Sequence, residues 1–408
     1  MLRVPEALAR VLEHAAPLPV AERPLENCLG RRLAADVWAD ADQPPFDKAL
    51  VDGFAVRCED LEGLPKRLRL GETILAGQVP SRPLAPGEAA TIMTGAPLPS
   101  NADAVVMVER TAPGFDSVEI LEQAIKPGMN RLPRGRVYRA GDRLLEGGVE
   151  LTPARMGLLA AAGASRVRIV DWTRSAVVPT GDELVDFREV PGPGRIRNSN
   201  ALMLETLLAR RGLASWTSPI LRDEADVLRN GLKRALELDV VLVIGGVSAG
   251  QKDLVPATLR ELGVREVFHK VRIKPGKPLW FGVGPARSER PPALVFGLPG
   301  NPLSGLVNFL IFVAPALDVL DGRPARGLGI LPAYSAVRLE HRSDLETYLP
   351  VRIVDAHRTP TAPPTVEPVD YGGSADLASV VRADGFLVLP DRETTVEPGE
   401  IVGFLPLD

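Results

Sequence analysis

The chain has 408 residues, 45% hydrophobic and 25% charged, so we expect a globular protein of about two to four domains. Its 48 basic and 52 acidic residues give a net charge of -4, which argues against nucleic-acid binding through bulk positive charge. With Cys28 and Cys58 as the only cysteines and four scattered histidines, a disulfide framework is excluded, a structural zinc site is disfavoured, and a cytoplasmic location is expected.

The N-terminal part predicts one short helix followed by a β-rich region. Apolar residues at helical spacing predict an amphipathic helix over residues 4–16, and its charged residues break any signal-peptide core. From residue 17 to about 137, short apolar stretches such as Ala104–Val108 and Val118–Leu121 lie between proline-glycine turns. A second helix is expected at 153–163. No run of 18 apolar residues occurs, so no membrane-spanning segment is expected.

Residues 166–322 alternate between strand and helix patterns. Strands are predicted at Val167–Val170, Ala176–Val178, Trp216–Ile220, Val240–Ile244 and Ala293–Phe296, and helices at Asn200–Arg211, 223–237, 254–262 and 302–316. Because the strands are almost wholly apolar, this region predicts a doubly wound sheet that is covered by helices on both faces. Ligands of such sheets bind at the carboxyl ends of the strands.

The last part, residues 323–408, shows β patterns without a long helix. Apolar runs at 335–340, 348–354, 385–389 and 401–404 predict a small β-barrel or sandwich. The polar stretch 284–292 is predicted to be a solvated hairpin tip.

The strongest local motif follows the predicted strand Val240–Ile244. Gly245 and Gly246 would let backbone amides approach an anion, and Ser248 could donate a further hydrogen bond. Asp253, near the start of the next helix, could bind a metal ion. The alternative is a tight turn with Asp253 as a helix cap.

Two other strand ends carry polar turns. Thr180-Gly181-Asp182-Glu183 suits a site that handles phosphate with a cation, although helix capping by the acids is an equal alternative. In Leu298–Ser304, Pro302 could begin a helix whose free amides face an anion, or the turn could be ordinary helix initiation.

Basic and acidic clusters complete the candidate residues. Lys270, Lys274 and Lys277 surround Pro275-Gly276 and predict a rigid cationic turn that could bind an oxyanion, or else a solvated charge run. Asp52 and Thr94 lie in acidic loops that, taken alone, indicate turns. The residues alone thus support an anion and metal site on an α/β domain.

Seven stretches in order resemble the molybdopterin molybdenumtransferase family (the MoeA and gephyrin E-domain group). They lie between residues 44 and 305 and are PPFDKALVDGFAVR (44–57), IMTGAPLPSNADAVVMVE (92–109), PTGDEL (179–184), GRIRNSNALML (194–204), IGGVSAGQKD (244–253), KVRIKPGKP (270–278) and GLPGNPLSG (297–305).

The resemblance implies a multidomain α/β protein with four domains. Domain I would comprise residues 1–42 with 138–170, and β-rich domain II residues 43–137. Domain III would be the doubly wound, MogA-like sheet (171–322) and domain IV a small β-barrel (323–408). The resemblance also implies a homodimer without nucleic-acid or membrane partners, and other proteins of cofactor biosynthesis as partners.

The implied reaction removes AMP from adenylylated molybdopterin and inserts molybdenum from molybdate, with Mg²⁺ as the cation. The resemblance assigns catalytic roles to Asp52, Thr94, Glu183, Asp223 and Asp253, with Glu183 and Asp253 also holding the metal ion. The implied binding residues are Thr180, Gly181, Asp182, Gly245, Gly246, Ser248, Lys270, Lys274, Lys277, Pro278, Pro299, Pro302, Ser304, Ser374 and Ser379.

Several positions depart from the family pattern. Arg136 and Val137 replace an acidic pair, and Val137 can neither bind a cation nor accept a proton. Further departures are Pro179, Ile244, Gln251 and Pro350. They raise the alternative hypothesis of a non-catalytic paralogue that stores, delivers or senses the cofactor. An interaction scaffold has no support, since no extra scaffold domain or linker is evident.

Overall fold

The structure is a computed structural model that describes residues 1–247, 254–325, 327–355 and 362–407. The chain forms two compact units: a first unit of residues 1–22, 30–32 and 168–408, and a second unit of residues 23–29 and 33–167. Helix α1 (Val4–Leu12) belongs to the first unit. Strand β1 (Val20–Pro24) begins in the first unit and ends in the second. The finer division into four domains stays a prediction.

The second unit is mainly β-structure. Its elements, up to the strand that leads out of it, are β2 (Val37–Trp38), β3 (Lys48–Ala49), β4 (Gly53–Val56), β5 (Lys66–Ile74), β6 (Glu88–Ile92), β7 (Ala104–Met107), β8 (Thr111–Pro113), β9 (Ser117–Ile120), β10 (Arg131–Leu132), β11 (Arg143–Leu145), α2 (Pro153–Ala161) and β12 (Arg166–Val170). Short 3₁₀ helices occur at Leu25–Asn27, Cys58–Leu61 and Val108–Arg110. One sheet of six strands has the order β7-β4-β6-β5-β9-β8.

This six-stranded sheet buries apolar side chains on both faces. Ala55 and Val105 belong to one core cluster, whereas Phe54 and Val106, their chain neighbours, belong to another. Such alternation follows from the two-residue period of a strand. The predicted strands at 104–108 and 118–121 correspond to β7 and β9. The longest strand of this sheet, β5, was not predicted because charged residues fill much of it.

The first unit contains the second large sheet. Its elements are β13 (Ser175–Pro179), β14 (Leu184–Val185), β15 (Ile196–Arg197), α3 (Ser199–Arg210), β16 (Ser215–Thr217), α4 (Ala225–Ala235), β17 (Val240–Ile244), α5 (Leu254–Glu261), β18 (Arg265–His269), β19 (Ile273–Lys274), β20 (Trp280–Val283), β21 (Leu294–Leu298), α6 (Pro302–Asn308), a π-helical segment (Phe309–Val313) and α7 (Ala314–Leu320). The strand order is β16-β13-β17-β21-β20-β18. β16, β13, β17 and β21 are parallel, and β20 runs antiparallel to both of its neighbours.

Helices cover both faces of this sheet, which confirms the doubly wound prediction. Val177 and Leu242 pack in one core cluster with apolar residues of α3 and α6. Ala176 and Val241 point to the opposite face and pack with residues of α4 and α5. Because β17 is buried on both sides, it needs the continuous apolar sequence that predicted it.

The helical stretch Pro302–Leu320 is apolar because it lies in this core. Among the described residues it is the one helix long and apolar enough to cross a membrane, but 83% of its apolar window is buried inside the protein. Its π-helical segment ends two residues before Pro315, which has no amide proton for a regular helical hydrogen bond.

The C-terminal region forms a closed barrel, which confirms the barrel prediction over the sandwich. Its elements are β22 (Leu331–Ser335), β23 (Leu339–His341), β24 (Glu346–Asp355), β25 (Thr365–Pro368), α8 (Leu377–Val381), β26 (Gly385–Leu389), β27 (Thr394–Val396) and β28 (Ile401–Pro406). Five strands close in the order β24-β25-β22-β28-β26, because β24 pairs with both β25 and β26. β19 adds to β24 as an outer strand.

The predicted solvated tip at 284–292 was only partly correct. β20 and β21 do form the arms of a hairpin. However, Arg287 and Arg290 turn back onto Asp239, which is only 1% exposed, with shortest distances of 3.1 and 2.9 Å. The buried carboxylate attracts these guanidinium groups away from solvent.

Candidate functional site

Three parallel strands of the first unit end side by side and bring three predicted loops together. The amide and hydroxyl of Thr180, after β13, donate to the carbonyl of Ile244 in β17, at 2.9 and 3.1 Å. The amide of Gly245 donates to the carbonyl of Leu298 in β21 at 3.0 Å. A cavity of about 280 Å³, here called the strand-end cavity, lies at this point; it is lined by residues that include Thr180, Glu183, Asn200, Gly245, Asn301 and Pro302.

The paired glycines permit close packing of the loop after β17. Gly245 and Gly246 have φ angles of +86° and +63°, which residues with a side chain rarely adopt. A Cβ atom at Gly245 would lie 2.7 Å from the carbonyl oxygen of Thr180. The backbone conformation of this loop therefore requires glycine at both positions. Ser248 and Asp253, the other predicted residues of this loop, lie outside the described residues.

The turn after β13 supplies one carboxylate to the strand-end cavity. The hydroxyl of Thr180 is buried and donates its hydrogen bond to the carbonyl of Ile244. It therefore links two strand ends and does not face a ligand. Glu183 is exposed, lines the cavity, and folds its carboxylate back against Gly181. Asp182 instead lies beside Arg222, whose guanidinium donates to the carbonyl of Asp182 at 2.8 Å. Asp223 follows Arg222 in the chain and is exposed.

Two asparagines that the sequence did not single out hold the loop after β21. Asn200 donates to the carbonyl of Gly300 at 2.6 Å, and its Oδ1 is buried without a hydrogen-bond partner among the described residues. Asn301 donates to the hydroxyl of Ser374 at 2.8 Å. Pro302 begins α6 as predicted, but the amide of Leu303 already donates to the carbonyl of Ser374 at 3.1 Å. Fewer helix-start amides are therefore free than the sequence suggested.

The cationic segment, here called the lysine turn (residues 270–279), lies at the same edge of the sheet. β18 is parallel to β17 and ends at His269, whereas antiparallel β20 begins at Trp280 opposite Gly297. Both ends of the lysine turn are thus fixed where the parallel strands end. His269 Nε2 lies 3.0 Å from the carbonyl oxygen of Val247, which ties the turn to the glycine loop.

The lysine side chains are available to a ligand. Lys274 and Lys277 are exposed, and Lys270 and Pro278 are half-buried. None of the three lysines forms an ion pair with a residue in the described part of the chain. Only eight of the 48 basic residues are lysines, and three of them lie in this turn.

The remaining predicted residues of the first unit differ in their access to the site. Ser304 is 3% exposed on α6. Ser374 lies next to the strand-end cavity through Asn301. Ser379 is fully buried, and its hydroxyl donates to the carbonyl of Asp376 at 2.7 Å. This placement removes Ser379 from the residues that we assign to the site.

In the second unit, Asp52 and Thr94 form a hydrogen-bonded pair. The backbone amide and the hydroxyl of Thr94 both donate to Oδ1 of Asp52 at 2.7 Å. These bonds, the backbone one first, lower the pKa of Asp52 below its usual value, so the exposed carboxylate is charged at neutral pH. These hydrogen bonds hold the two loops that contain Asp52 and Thr94 together.

Arg136 and Val137 lie in a segment that runs beside these loops. The amide of Val137 donates to the carbonyl of Gln43 at 2.9 Å, and that of Leu50 donates to Asn130. Val137 is 63% exposed, and Arg136 is also exposed. Arg136 and Val137, which replace the acidic pair of the family pattern, therefore lie on the surface of the second unit.

Sequence models of three known regions match the chain. The MoeA N-terminal region (domain I and II) matches residues 2–163, a probable molybdopterin binding domain matches residues 176–319, and the MoeA C-terminal region (domain IV) matches residues 332–407.

Curated relatives are similar over nearly the full length. A molybdopterin molybdenumtransferase from Synechocystis sp. is 31% identical and covers 93% of each chain. One from Nostoc sp. is 34% identical over 93% of this chain and 86% of the relative. A solved structure of the molybdopterin biosynthesis MoeA protein from Pyrococcus horikoshii superimposes with a TM-score of 0.79 at 32% identity, covering 100% of this chain and 99% of the other.

Proposed function

Because the chain belongs to the molybdopterin molybdenumtransferase family, we propose that it inserts molybdenum from molybdate into adenylylated molybdopterin and releases AMP. The observation that carries this proposal is that the strand-end cavity and the lysine turn lie at the same edge of one buried sheet. The non-catalytic paralogue is not favoured, since the curated relatives are named as transferases.

The strand-end cavity is suited to the phosphate part of the substrate. Gly245 lines this cavity and, like Gly246, has no side chain to cover the backbone, although the amide of Gly245 already donates to the carbonyl of Leu298. Asn200 and Asn301 add polar groups nearby, and Ser248 is proposed as a further binding residue. Thr180 lines this cavity, and Gly181 and Pro299 are the chain neighbours of the lining residues Thr180 and Gly300.

An adjoining cavity of about 410 Å³ has room for the nucleoside of the substrate. It shares Leu184 and Asn198 with the strand-end cavity. Phe187 lines it, and the guanidinium of Arg188 lies 4.4 Å from the centre of the Phe187 ring. An aromatic ring beside a cation is a favourable surface for a flat base. We assign the AMP that leaves to this cavity.

Magnesium binding fits the available groups only together with the substrate. No cluster of three metal-binding side chains occurs within residues 1–247, 254–325, 327–355 and 362–407. Mg²⁺ is commonly held by one or two carboxylates plus phosphate oxygens. Glu183 supplies one carboxylate at the strand-end cavity, and Asp253 is the second proposed ligand. The cation would neutralise charge on the phosphoanhydride as AMP departs.

Molybdate would bind at the lysine turn. A small doubly charged oxyanion is matched by the compact ammonium groups of Lys274 and Lys277, with Lys270 and Pro278 beside them. In the described part of the chain, no carboxylate forms an ion pair with these lysines and neutralises their charge. Their exposure allows the anion to enter from solvent.

The proposal includes a cytoplasmic homodimer. Support for the dimer comes from family resemblance, which assigns Asp52 and Thr94 to the reaction from the second unit. Asp52 is exposed and charged, so it can act on a ligand that meets this surface. Other proteins of cofactor biosynthesis are proposed partners for delivery of the substrate and product.

AMP release tests the proposed function. Purified protein, adenylylated molybdopterin, molybdate and Mg²⁺ should yield AMP in a molybdate-dependent manner. Lys274→Ala and Lys277→Ala should lower this rate at least tenfold, and Glu183→Gln should weaken the dependence on Mg²⁺. Lys233→Ala, which removes an exposed lysine of α4, is the matched control. Wild-type rates in the Lys274→Ala, Lys277→Ala double variant would refute the assignment.

A further inference from the structure

A fully buried amide side chain lies beneath the lysine turn. Asn308 is the last residue of α6 and has no exposed surface. Its Nδ2 donates to the carbonyl oxygen of Gly276 at 3.1 Å, in the middle of the turn. Its Oδ1 is buried and accepts no hydrogen bond from the residues that the structure describes.

Gly276 and Asn308 fit each other closely. A Cβ atom added at Gly276 would lie 2.8 Å from Oδ1 and 2.9 Å from Nδ2 of Asn308. Gly276 also has a φ of +111°, which disfavours any side chain there. The amide plane of Asn308 therefore packs directly on the backbone between Lys274 and Lys277.

An amide is an expensive choice for this position. Its neighbours Val307, Phe309, Ile311 and Phe312 are all at most 2% exposed and belong to the apolar core. A buried polar atom without a partner costs free energy, so an apolar side chain would serve stability better. Retention of the amide indicates that the contact with Gly276 has another use.

The position of Asn308 on α6 connects two parts of the proposed site. α6 begins at Pro302 beside the strand-end cavity, and Ser304 lies one helical turn before Asn308 on the same face. The π-helical segment starts immediately after Asn308, and such segments often mark functional sites. One helix thus contacts the cavity at its start and the lysine turn at its end.

We propose that Asn308 is a positioning residue for a tetrahedral oxyanion bound by Lys274 and Lys277. β24 fixes one side of the turn, because Lys274 pairs with Thr347. Asn308 fixes the centre by holding the carbonyl of Gly276, which also accepts the amide of Leu279 at 3.2 Å. Together these contacts set the spacing of the two ammonium groups. This inference rests on the proposed oxyanion role of the lysines.

The test is calorimetric titration of molybdate into the full-length protein and its variants. Asn308→Leu keeps the side-chain volume but removes the donor, and should raise the Kd for molybdate roughly three- to tenfold, as expected for one lost hydrogen bond. Gly276→Ala should have a similar effect from the other side of the contact. Val307→Ala, which removes buried apolar volume on the same helix, should leave the Kd unchanged.

Steady-state kinetics separates positioning from general structural damage. In Asn308→Leu the KM for molybdate should rise while the KM for adenylylated molybdopterin stays as in the wild type. A rise in both KM values, or an unchanged Kd in Asn308→Leu and Gly276→Ala, would overturn the inference. If Lys274→Ala and Lys277→Ala also bind molybdate normally, the proposed oxyanion site itself fails. If only the lysine variants lose binding, that site stands and the role of Asn308 does not.

Discussion

Asn301, in the loop after β21, and Ser374, in the loop before α8, are joined by a hydrogen bond of 2.8 Å that Nδ2 of Asn301 donates to the hydroxyl oxygen of Ser374. The carbonyl of Ser374 also accepts the amide of Leu303 at 3.1 Å. The start of α6 is therefore fixed to the loop before α8 in the C-terminal region. This loop thus helps to shape a cavity that the sheet alone leaves open.

Removal of this contact should affect binding more than folding. Ser374→Ala removes the acceptor for Asn301 and should weaken binding of the adenylylated pterin about two- to tenfold, the range for one hydrogen bond. Equilibrium binding measurements would show this effect. Ser379→Ala is the matched control, because Ser379 is buried in the cap of α8. It should lower the Tm and leave affinity unchanged; equal losses of affinity would contradict the assignment.

The pKa of Asp52 should report on its bond to Thr94. In Thr94→Val the hydroxyl is lost and the backbone amide remains, so the pKa of Asp52 should rise part of the way to its usual value. Because the folded-state pKa is lowered, the contribution to stability is present above the unfolded pKa and is lost as pH falls through the folded pKa. NMR titration of the carboxyl carbon measures the shift. An unchanged pKa would mean that the hydroxyl does not bind Asp52 in solution.

Asp239 should be a major stabilising residue of the first unit. Burial on its own raises its pKa, but hydrogen bonds from Arg174 and charge from Arg290 bring the pKa below the usual value. Asp239→Ala would leave Arg174, Arg287 and Arg290 without this carboxylate and should lower the free energy of unfolding by about 3 kcal/mol at pH 7.

Denaturant unfolding at several pH values checks this role of Asp239. A lowered pKa stabilises the folded state above the unfolded pKa, so the deficit of Asp239→Ala should shrink as pH falls below about 4. Glu261→Ala is the control, because its ion pair with Arg229 is exposed and should contribute less than about 1 kcal/mol. Equal deficits in the two variants would show that burial of Asp239 has no special effect.

The sequence predicted those elements in which the pattern of apolar residues alone indicates the structure. β17 has the predicted bounds because its five residues are buried on both faces and lie between Asp239 and Gly245. β18 and β20 were not predicted, because Arg265–His269 is an edge strand with polar residues and Trp280–Val283 has only four residues. Their pairing depends on contacts between distant parts of the chain.

In the candidate site, too, residues in local motifs were predicted, and residues that depend on distant contacts were not. The motifs with Thr180, Gly245 and Lys274 were recognisable from glycine, proline and charge patterns. Asn308 was not, since its contact with Gly276 joins residues 32 positions apart. An asparagine inside an apolar helix carries no local signal for such a contact. Likewise, the burial of Ser379 was missed because the short helix α8, which contains it, was not predicted.

The departure at Val137 can be tested by restoring an acid. The side chain is 63% exposed, so Val137→Asp should place its carboxylate in solvent and leave the fold intact. A carboxylate could bind a cation or transfer a proton, and such groups contribute roughly 100- to 10,000-fold in well-placed sites. Since the neighbouring residues have not adapted to it, we expect an increase of about tenfold in molybdate-dependent AMP release. Val137→Asn, similar in size and uncharged, should behave like the wild type. If Asp and Asn variants share the wild-type rate, the acid's role is fulfilled by other groups in this chain.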